Sequence, residues 1–436
     1  MQKNLHFTSL GCTRNQVDSE TMIAKLFERG YSLTNEIAKA DIFVINTCGF
    51  LKEARDEAFS HLDEIFANKT KKSKVIVAGC MANLFSNEIR DKYNIFSIIS
   101  SGNIDKIIEA ANRSIIATDN LSYISETSFE RVLINLDHLA YLKISEGCSK
   151  KCSFCIIPKI KGKLISRSDD SIIQEFKTLL NNNVFEINLI AQDLLDYAKD
   201  RNENLGFLKL LKKILQIKEK FWLRLLYVYP DEITDEFIDL IASDERICKY
   251  LDIPLQHISD KILKSMRRKT SKDKIIKLFE KLKKKIPAIS IRTSLMVGYP
   301  SETDKDFNEL LDFVENFEID HLAVFKYSNE KNALSFSMQD QVDEKIKDER
   351  FNILTNKQFE LLQKRNKKYI GKTFDALIDD YHSESNLLAK ARFQGQAYSV
   401  DSNIIINDIQ KIKSFGKIQK IKITDLSGYD LIGQLL

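Results

Sequence analysis

The run Ala140-Tyr141-Leu142-Lys143-Ile144-Ser145-Glu146-Gly147-Cys148-Ser149-Lys150-Lys151-Cys152-Ser153-Phe154-Cys155 decides the fold. Residues 140–145 read as a strand, and the loop that follows places three cysteines in a C-x3-C-x2-C spacing. Three thiolates in that spacing suit a four-iron cluster and leave its fourth iron without a protein ligand. A cluster capped at every corner carries electrons, so the open iron is where chemistry is expected. A structural zinc site needs four ligands in closed tetrahedral geometry, and no fourth Cys or His lies close by. His138 stands ten residues before Cys148, across a strand that carries it away from the loop. Seven cysteines in 436 residues is also too sparse, and odd, for a disulfide framework.

Downstream of this loop the strand-helix alternation continues, six strands in all from about residue 134. The apolar runs 140–145, 186–192, 222–229, 250–256, 290–297 and 321–327 read as strands. Helical periods fill the spaces between them, at 171–181, 204–217, 232–242, 261–284 and 303–316. Right-handed crossovers of this kind curl a parallel sheet towards a barrel, whose catalytic groups gather at the carboxyl ends of the strands. The cysteine loop follows the first strand, so it lies on that rim. The polar strand ends Gln192-Asp193, Tyr229-Pro230, Gln256-His257, Gly298-Tyr299-Pro300 and Lys326-Tyr327-Ser328 outline the same rim. Six strands enclose less than a full barrel of eight, which predicts a lateral opening for a large substrate.

Upstream, to about residue 120, short apolar runs again alternate with helices, as a parallel sheet requires. Residues 5–10 end in Gly11-Cys12, residues 41–47 in Cys48-Gly49, and residues 74–78 in Gly79-Cys80. The carboxyl ends of strands in an open α/β sheet line one crevice, so thiols 36 and 32 residues apart in sequence can converge. One cysteine at a strand end is most simply a core thiol, but three at the same edge predict a second cluster site. Cys248 has no such partner and reads as an inert, semi-buried residue.

Downstream of the barrel, residues 342–369 predict a long helix whose packing face is Ile346, Phe351, Leu354, Phe359 and Leu362, ending near Gly371. The β signals at 374–378, 387–393, 404–406, 417–423 and 431–435 then predict a small five-stranded barrel. From Lys367 onward there are ten Lys or Arg against eight Asp or Glu, half of the basic ones between Lys411 and Lys422. That face suits either an RNA contact or a lysine-protected edge strand. The expected fold class is thus α/β plus a small β domain. It comprises an N-terminal open parallel α/β sheet (1–120), a central partial (β/α)6 TIM-like barrel (134–366) and a C-terminal OB-like β-barrel (367–436).

With 66 basic and 62 acidic residues the net charge is +4, too small to announce a nucleic-acid partner by electrostatics alone. Met1-Gln2-Lys3-Asn4 has no apolar signal core, and no run of about eighteen apolar residues occurs. The expectation is a cytoplasmic chain with no membrane contact.

Cys148, Cys152 and Cys155 match the radical S-adenosylmethionine motif, and the order of parts resembles the methylthiotransferase family, whose C-terminal barrel is a TRAM domain. The resemblance covers essentially the whole chain. The runs Ser9-Leu10-Gly11-Cys12-Thr13-Arg14-Asn15-Gln16-Val17-Asp18-Ser19-Glu20, Cys155-Ile156-Ile157-Pro158 and Tyr250-Leu251-Asp252-Ile253-Pro254-Leu255-Gln256-His257 are similar to the branch that acts on a ribosomal protein. Leu194-Leu195-Asp196 and Ser168 depart from that branch's pattern in two loops.

The resemblance implies a transferase that adds a methylthio group to the β-carbon of an aspartate in the twelfth protein of the small ribosomal subunit. The alternatives are a transfer RNA methylthiotransferase acting on an isopentenylated adenosine, and a non-catalytic metal-stabilised protein that binds RNA or ribosomes. Two 4Fe-4S clusters are implied, one on Cys148, Cys152 and Cys155 and one on Cys12, Cys48 and Cys80. Two molecules of S-adenosylmethionine are implied per turnover, one cleaved to a 5'-deoxyadenosyl radical and one giving its methyl group. Phe154 is expected near the adenine, and Gln192 or Asp193 near the methionine amino group. A low-potential flavodoxin or ferredoxin as electron donor, a sulfur donor and a monomeric state complete the expectation.

Overall fold

The computed structural model describes residues 3–124 and 131–436. Met1 and Gln2, part of the expected first domain and of the signal reading, lie outside the described residues. Strands β1 (Lys3–Ser9), β2 (Tyr31–Leu33), β3 (Ile42–Thr47), β4 (Lys74–Gly79), β5 (Ser97–Ser100) and β6 (Ile116–Ala117) form a parallel sheet in the order β2-β1-β3-β4-β5-β6. Helices α1 (Thr13–Phe27) and α4 (Ile107–Asn112) cover one face, and α2 (Lys52–Asn68) and α3 (Cys80–Lys92) the other. β3 therefore buries every residue. Ile42 and Val44 enter one core and Phe43 and Ile45 the other, each such burial worth roughly 1.5–3 kcal/mol. The short strands β2, β5 and β6 add to the three that the cysteine-terminated runs announce.

The second sheet is parallel and open, in the order β14-β13-β12-β11-β10-β7. Its strands are β7 (Leu139–Lys143), β10 (Glu186–Ile190), β11 (Trp222–Leu225), β12 (Ile247–Asp252), β13 (Ser290–Val297) and β14 (His321–Lys326). A small antiparallel pair, β8 (Ser145–Glu146) and β9 (Ile165–Ser166), frames the cysteine loop around α5 (Ile157–Lys161). Helices α6 (Asp169–Asn181), α7 (Gly206–Ile214), α8 (Asp235–Ser243), α9 (Asp260–Ser265), α10 (Lys272–Lys285) and α11 (Asp304–Asn316) lie in the crossovers. The partial (β/α)6 barrel is thus present.

One expectation for this region changes. Residues 261–284 are two helices: Arg267 takes a left-handed φ of +58°, and Ser271 caps α10 by accepting from the Lys274 amide. The break buries Arg268 and Thr270, which periodicity does not foresee. On the concave face Tyr141, Trp222 and Tyr250 pack against Val17 of α1 and against Leu377 and Ala397 of the C-terminal barrel.

The long helix, α12 (Glu344–Lys367), buries Lys347, Arg350, Leu354, Gln358, Leu362 and Asn366. That stripe keeps Leu354 and Leu362 of the predicted face, and Phe351 packs against the central core, but Ile346 is 41% exposed and Phe359 sits against Tyr429 at a ring distance of 4.9 Å. The buried stripe is polar because its charges have partners, Arg350 pairing with buried Glu302 at 2.9 Å and with Asp304 at 2.7 Å. Leu354 joins the central core, so α12 supplies the helix of the sixth strand-helix unit, after β14.

The C-terminal strands β15 (Thr373–His382), β16 (Ser385–Arg392), β17 (Ile404–Ile406), β18 (Ile418–Ser427) and β19 (Asp430–Leu435) close into a barrel in the order β15-β16-β17-β19-β18. It docks at the amino ends of the central strands, away from the cysteine loop. Arg392 pairs with Asp379 at 2.6 Å and with Glu186 of β10 at 2.9 Å, and His138 reaches Asp379 at 3.1 Å. His138 is thereby held at the far end of β7 from the cysteines, as the strand reading requires. No helix among the described residues is long and apolar enough to cross a membrane.

Candidate active site

The cysteine loop leaves β8 through Gly147, whose φ is +75° and where a Cβ would stand 2.0 Å from the Lys163 carbonyl oxygen. Only glycine fits this approach. Gly147→Ala is accordingly expected to lower stability by more than roughly 2 kcal/mol, measured by denaturant unfolding, because left-handed strain adds to that collision. The loop is anchored elsewhere by Cys148 N donating to Gly162 O at 3.1 Å and by Ser153 N donating to Met266 O at 3.2 Å. The Ser153 hydroxyl also meets the Tyr299 hydroxyl at 2.7 Å.

A cavity of about 170 Å³ brings Cys148, Cys152 and Cys155 together with Phe154 and Gln192, the two residues expected to contact the cofactor. Phe154 packs at its edge beside Ile262, Met266 and Tyr299. Gln192 donates its amide to Glu146 Oε1, and its own carbonyl oxygen is buried without a hydrogen-bond partner among the described residues. A buried orphan acceptor is what an ammonium group would satisfy. Asp193, the other candidate, is occupied: Lys150 pairs with it at 2.7 Å, and the Leu195 and Tyr229 amides donate to its carboxylate. Asp196, one of the departures from the family pattern, completes this arrangement at 2.6 Å from Lys150. Ser168, the other, caps α6 by accepting from the Ser171 amide.

Cys12 caps α1, Cys48 follows β3, and Cys80 opens α3. β1, β3 and β4 are neighbours in register, Ser9 opposite Asn46 and Thr47 opposite Gly79, so the three thiols start from adjacent strand ends. Gly11, at φ +92°, lets the first loop press on the second, where a Cβ would meet Cys48 Cβ at 2.8 Å. Buried Asn15 holds the cradle: its amide donates to Leu10 O and Thr47 O, and its carbonyl oxygen accepts from Cys80 Sγ at 3.4 Å. Nothing in the spacing of cysteines marks Asn15, because its partners come from three strands.

Among the described residues, the three-residue ligand group with all atoms within 4.8 Å of one another is Asp193, Asp196 and Glu232, and neither cysteine triad is so tight. Tetrahedral zinc at a Zn–S bond near 2.3 Å would draw sulfurs to about 3.8 Å. The wider triads, each of three soft donors, fit a larger iron-sulfur group. Cys248 belongs to neither; it is wholly buried in the cluster around Trp222 and Tyr250, where burial pushes its thiol up to about 12.

Between the triads lies a buried lattice of charge that the sequence reading did not find. Lys143 reaches Asp18 at 2.5 Å and Glu146 at 3.0 Å, and Lys161 reaches the same two carboxylates at 3.4 and 3.2 Å. Burial opposes charge on Glu146, yet Lys161 first, then Lys143, Arg14 and the Gln192 amide hold it below the ordinary carboxylate range. The thiols divide on the same terms. Burial resists ionisation of Cys12, but Arg14, nearby backbone amides and Lys161 outweigh it and hold the thiol below its usual range. At Cys80 burial wins over Lys161 and pushes the thiol up to about 12.

Residues 4–100 match the uncharacterized protein family UPF0004, residues 142–314 the radical SAM superfamily and residues 370–436 the TRAM domain. The chain is 46% identical over 442 residues to the ribosomal protein uS12 methylthiotransferase RimO of Chlamydia pneumoniae, covering 100% of this chain and 94% of that one. It is 42% identical over 438 residues to the protein of that name from Protochlamydia amoebophila (strain UWE25), covering 99% and 92%. Among solved structures, the fold is similar to the radical S-adenosylmethionine methyltransferase TsrM from Kitasatospora setae, with a TM-score of 0.57, 14% identity and 75% of each chain covered.

Proposed function

This chain belongs to the family of ribosomal protein uS12 methylthiotransferases called RimO, and from that membership we propose that it methylthiolates the β-carbon of an aspartate in uS12. The observation that carries the reading is the pair of open cysteine triads at strand ends, Cys148, Cys152 and Cys155 in one cavity and Cys12, Cys48 and Cys80 at the edge of the sheet of the first domain. A closed structural site has no use for two incomplete ligand sets. In this reading each triad holds a 4Fe-4S cluster. When bound, the first cluster with S-adenosylmethionine supplies radical chemistry at an unactivated C–H bond, which no side-chain base reaches at neutral pH.

The chain's own residues do the binding and positioning. When S-adenosylmethionine is bound, Gln192 Oε1 would accept from its methionine ammonium and Phe154 would pack beside its adenine. Lys161 and Arg14 offset the negative charge that thiolates bring to the second site, which matters in a buried setting where unpaired charge is costly. A second S-adenosylmethionine supplies the methyl group, with a sulfur donor and a low-potential electron donor as further partners.

Intact-mass measurement of uS12 from cells with and without this gene tests the reading. The expected result is one methylthio group on the aspartate, lost on deletion and restored by the intact chain. Unchanged uS12 together with altered transfer RNA nucleosides would assign the chain to the other substrate.

A further inference from the structure

A reaction that joins two sites must present its reacting carbon to both, so a side chain shared by the sites is well placed to hold the substrate. Arg14 is such a residue. It lines the cavity formed by Cys148, Cys152 and Cys155, and it stands two residues from Cys12, close enough for its charge to be felt by Cys12 and Cys80. Its guanidinium is held in place without a carboxylate partner. Nη1 donates to Ala191 O at 2.7 Å, and the group lies over the Tyr227 ring at 5.1 Å. Among the described residues no carboxylate comes within ion-pair distance of it; the nearby Glu146 is taken by Lys143 and Lys161.

The other cations of the cavity are placed differently. Lys150 is bracketed by Asp193 and Asp196. Arg268 also lacks a carboxylate partner among the described residues, but it sits against the first triad alone, donating to Pro254 O with its Nη1 4.0 Å from Cys152 Sγ. Arg14 is therefore the cation at the junction with a hydrogen-bonding edge to spare. A planar guanidinium matches a carboxylate fork to fork, and fixing one end on a backbone carbonyl lowers the cost of ordering the rest.

We propose that Arg14 is the specificity-determining residue that takes the carboxylate of the substrate aspartate, setting its β-carbon between the two cysteine triads. The inference rests on the reading that the substrate is a protein aspartate. The α and γ carbons flank the β-carbon, so gripping the side-chain carboxylate leaves the reacting carbon one bond away. A site built around that charge also rejects an uncharged analogue, because the guanidinium would then stay buried without its counter-charge.

The test compares a peptide spanning the modified aspartate of uS12 with the same peptide carrying asparagine there. The full-length reconstituted chain is used, with binding followed by fluorescence anisotropy and product by mass spectrometry. The wild type is expected to favour the aspartate peptide by roughly a hundredfold or more in kcat/KM and to bind it more tightly. Arg14→Gln should bring the two peptides to near parity in both readouts, through loss on the aspartate peptide, with iron content matched to the wild type. Arg14→Lys keeps the charge but not the fork and should retain a weaker preference, a result that carries the test if Arg14→Gln does not fold. Undiminished discrimination by Arg14→Gln, or by Arg14→Lys where that variant carries the test, would overturn the inference and leave the activity standing. Wild type that binds with discrimination but modifies neither peptide would count against the activity while supporting Arg14.

Discussion

Cys152→Ala is expected to abolish cleavage of S-adenosylmethionine while leaving the fold intact. A three-thiolate set has no spare ligand, so loss of one donor is loss of the cluster rather than a weakening of it. Cys152 lies in a loop whose hydrogen bonds run through the backbones of Cys148, Ser153 and Cys155, not through its own sulfur. Among the described residues its sulfur meets only the long approach of Arg268 Nη1, at 4.0 Å. Anaerobic reconstitution followed by chemical reduction should yield 5'-deoxyadenosine from the wild type and none from the variant, with iron lower by about four atoms per chain. The two melting curves, taken before reconstitution, should superimpose. Persistent cleavage would remove this loop from the chemistry, and a large fall in melting temperature without loss of product would mark the cysteines as structural staples.

Lys161→Met is expected to destabilise the protein by about 3–5 kcal/mol, because it leaves two buried carboxylates to share one lysine. Lys161 comes from α5, Asp18 from α1 of the first domain, and Lys143 and Glu146 from β7 and β8. Their side chains are between 0% and 7% exposed, so water cannot replace the missing charge. The lattice bridges the two domains that carry the cysteine triads, and its loss should also loosen the first against the second. The pH dependence follows from Glu146, whose folded pKa is held below its ordinary 4.5, first by Lys161. A depressed carboxyl contributes stability that is fully present above the unfolded value and drains away as pH falls through the folded one. Acidification should therefore narrow the gap between wild type and variant. Equal stability of the two at neutral pH, by denaturant unfolding, would show that the lattice does not hold the domains.

Much of the architecture is legible in local patterns. The run of residues 41–47 is apolar throughout because helices cover both faces of its sheet, and the same logic exposes the central strands. Each cysteine of the first domain stands at a strand end beside a glycine, so convergence follows from the topology of a parallel sheet. The misread elements share a cause. An apolar pattern on α12 cannot show its buried charges: Arg350 finds its partners far along the chain, at Glu302 and Asp304, and Lys347 pairs with Glu344 one turn back. The break after α9 was hidden because Arg268 is tied down by Pro254 O and the Tyr229 ring, from two other strand ends.

The sequence by itself singled out the two proposed donor sets, Cys148, Cys152 and Cys155 as one and Cys12, Cys48 and Cys80 as the other, together with the three-part fold. Those features rest on short-range rules: spacing, hydrophobic period, and a glycine where the backbone must turn. Only the tertiary structure decided what lies between the two sets. Arg14 and Asp18 of α1, Lys143 and Glu146 of β7 and β8, and Lys161 of α5 come from three separate segments, and each alone reads as an ordinary surface charge. They become a buried lattice, and Arg14 its unpaired edge, because packing removes them from water together, and the cost of burying charge makes their pairing specific.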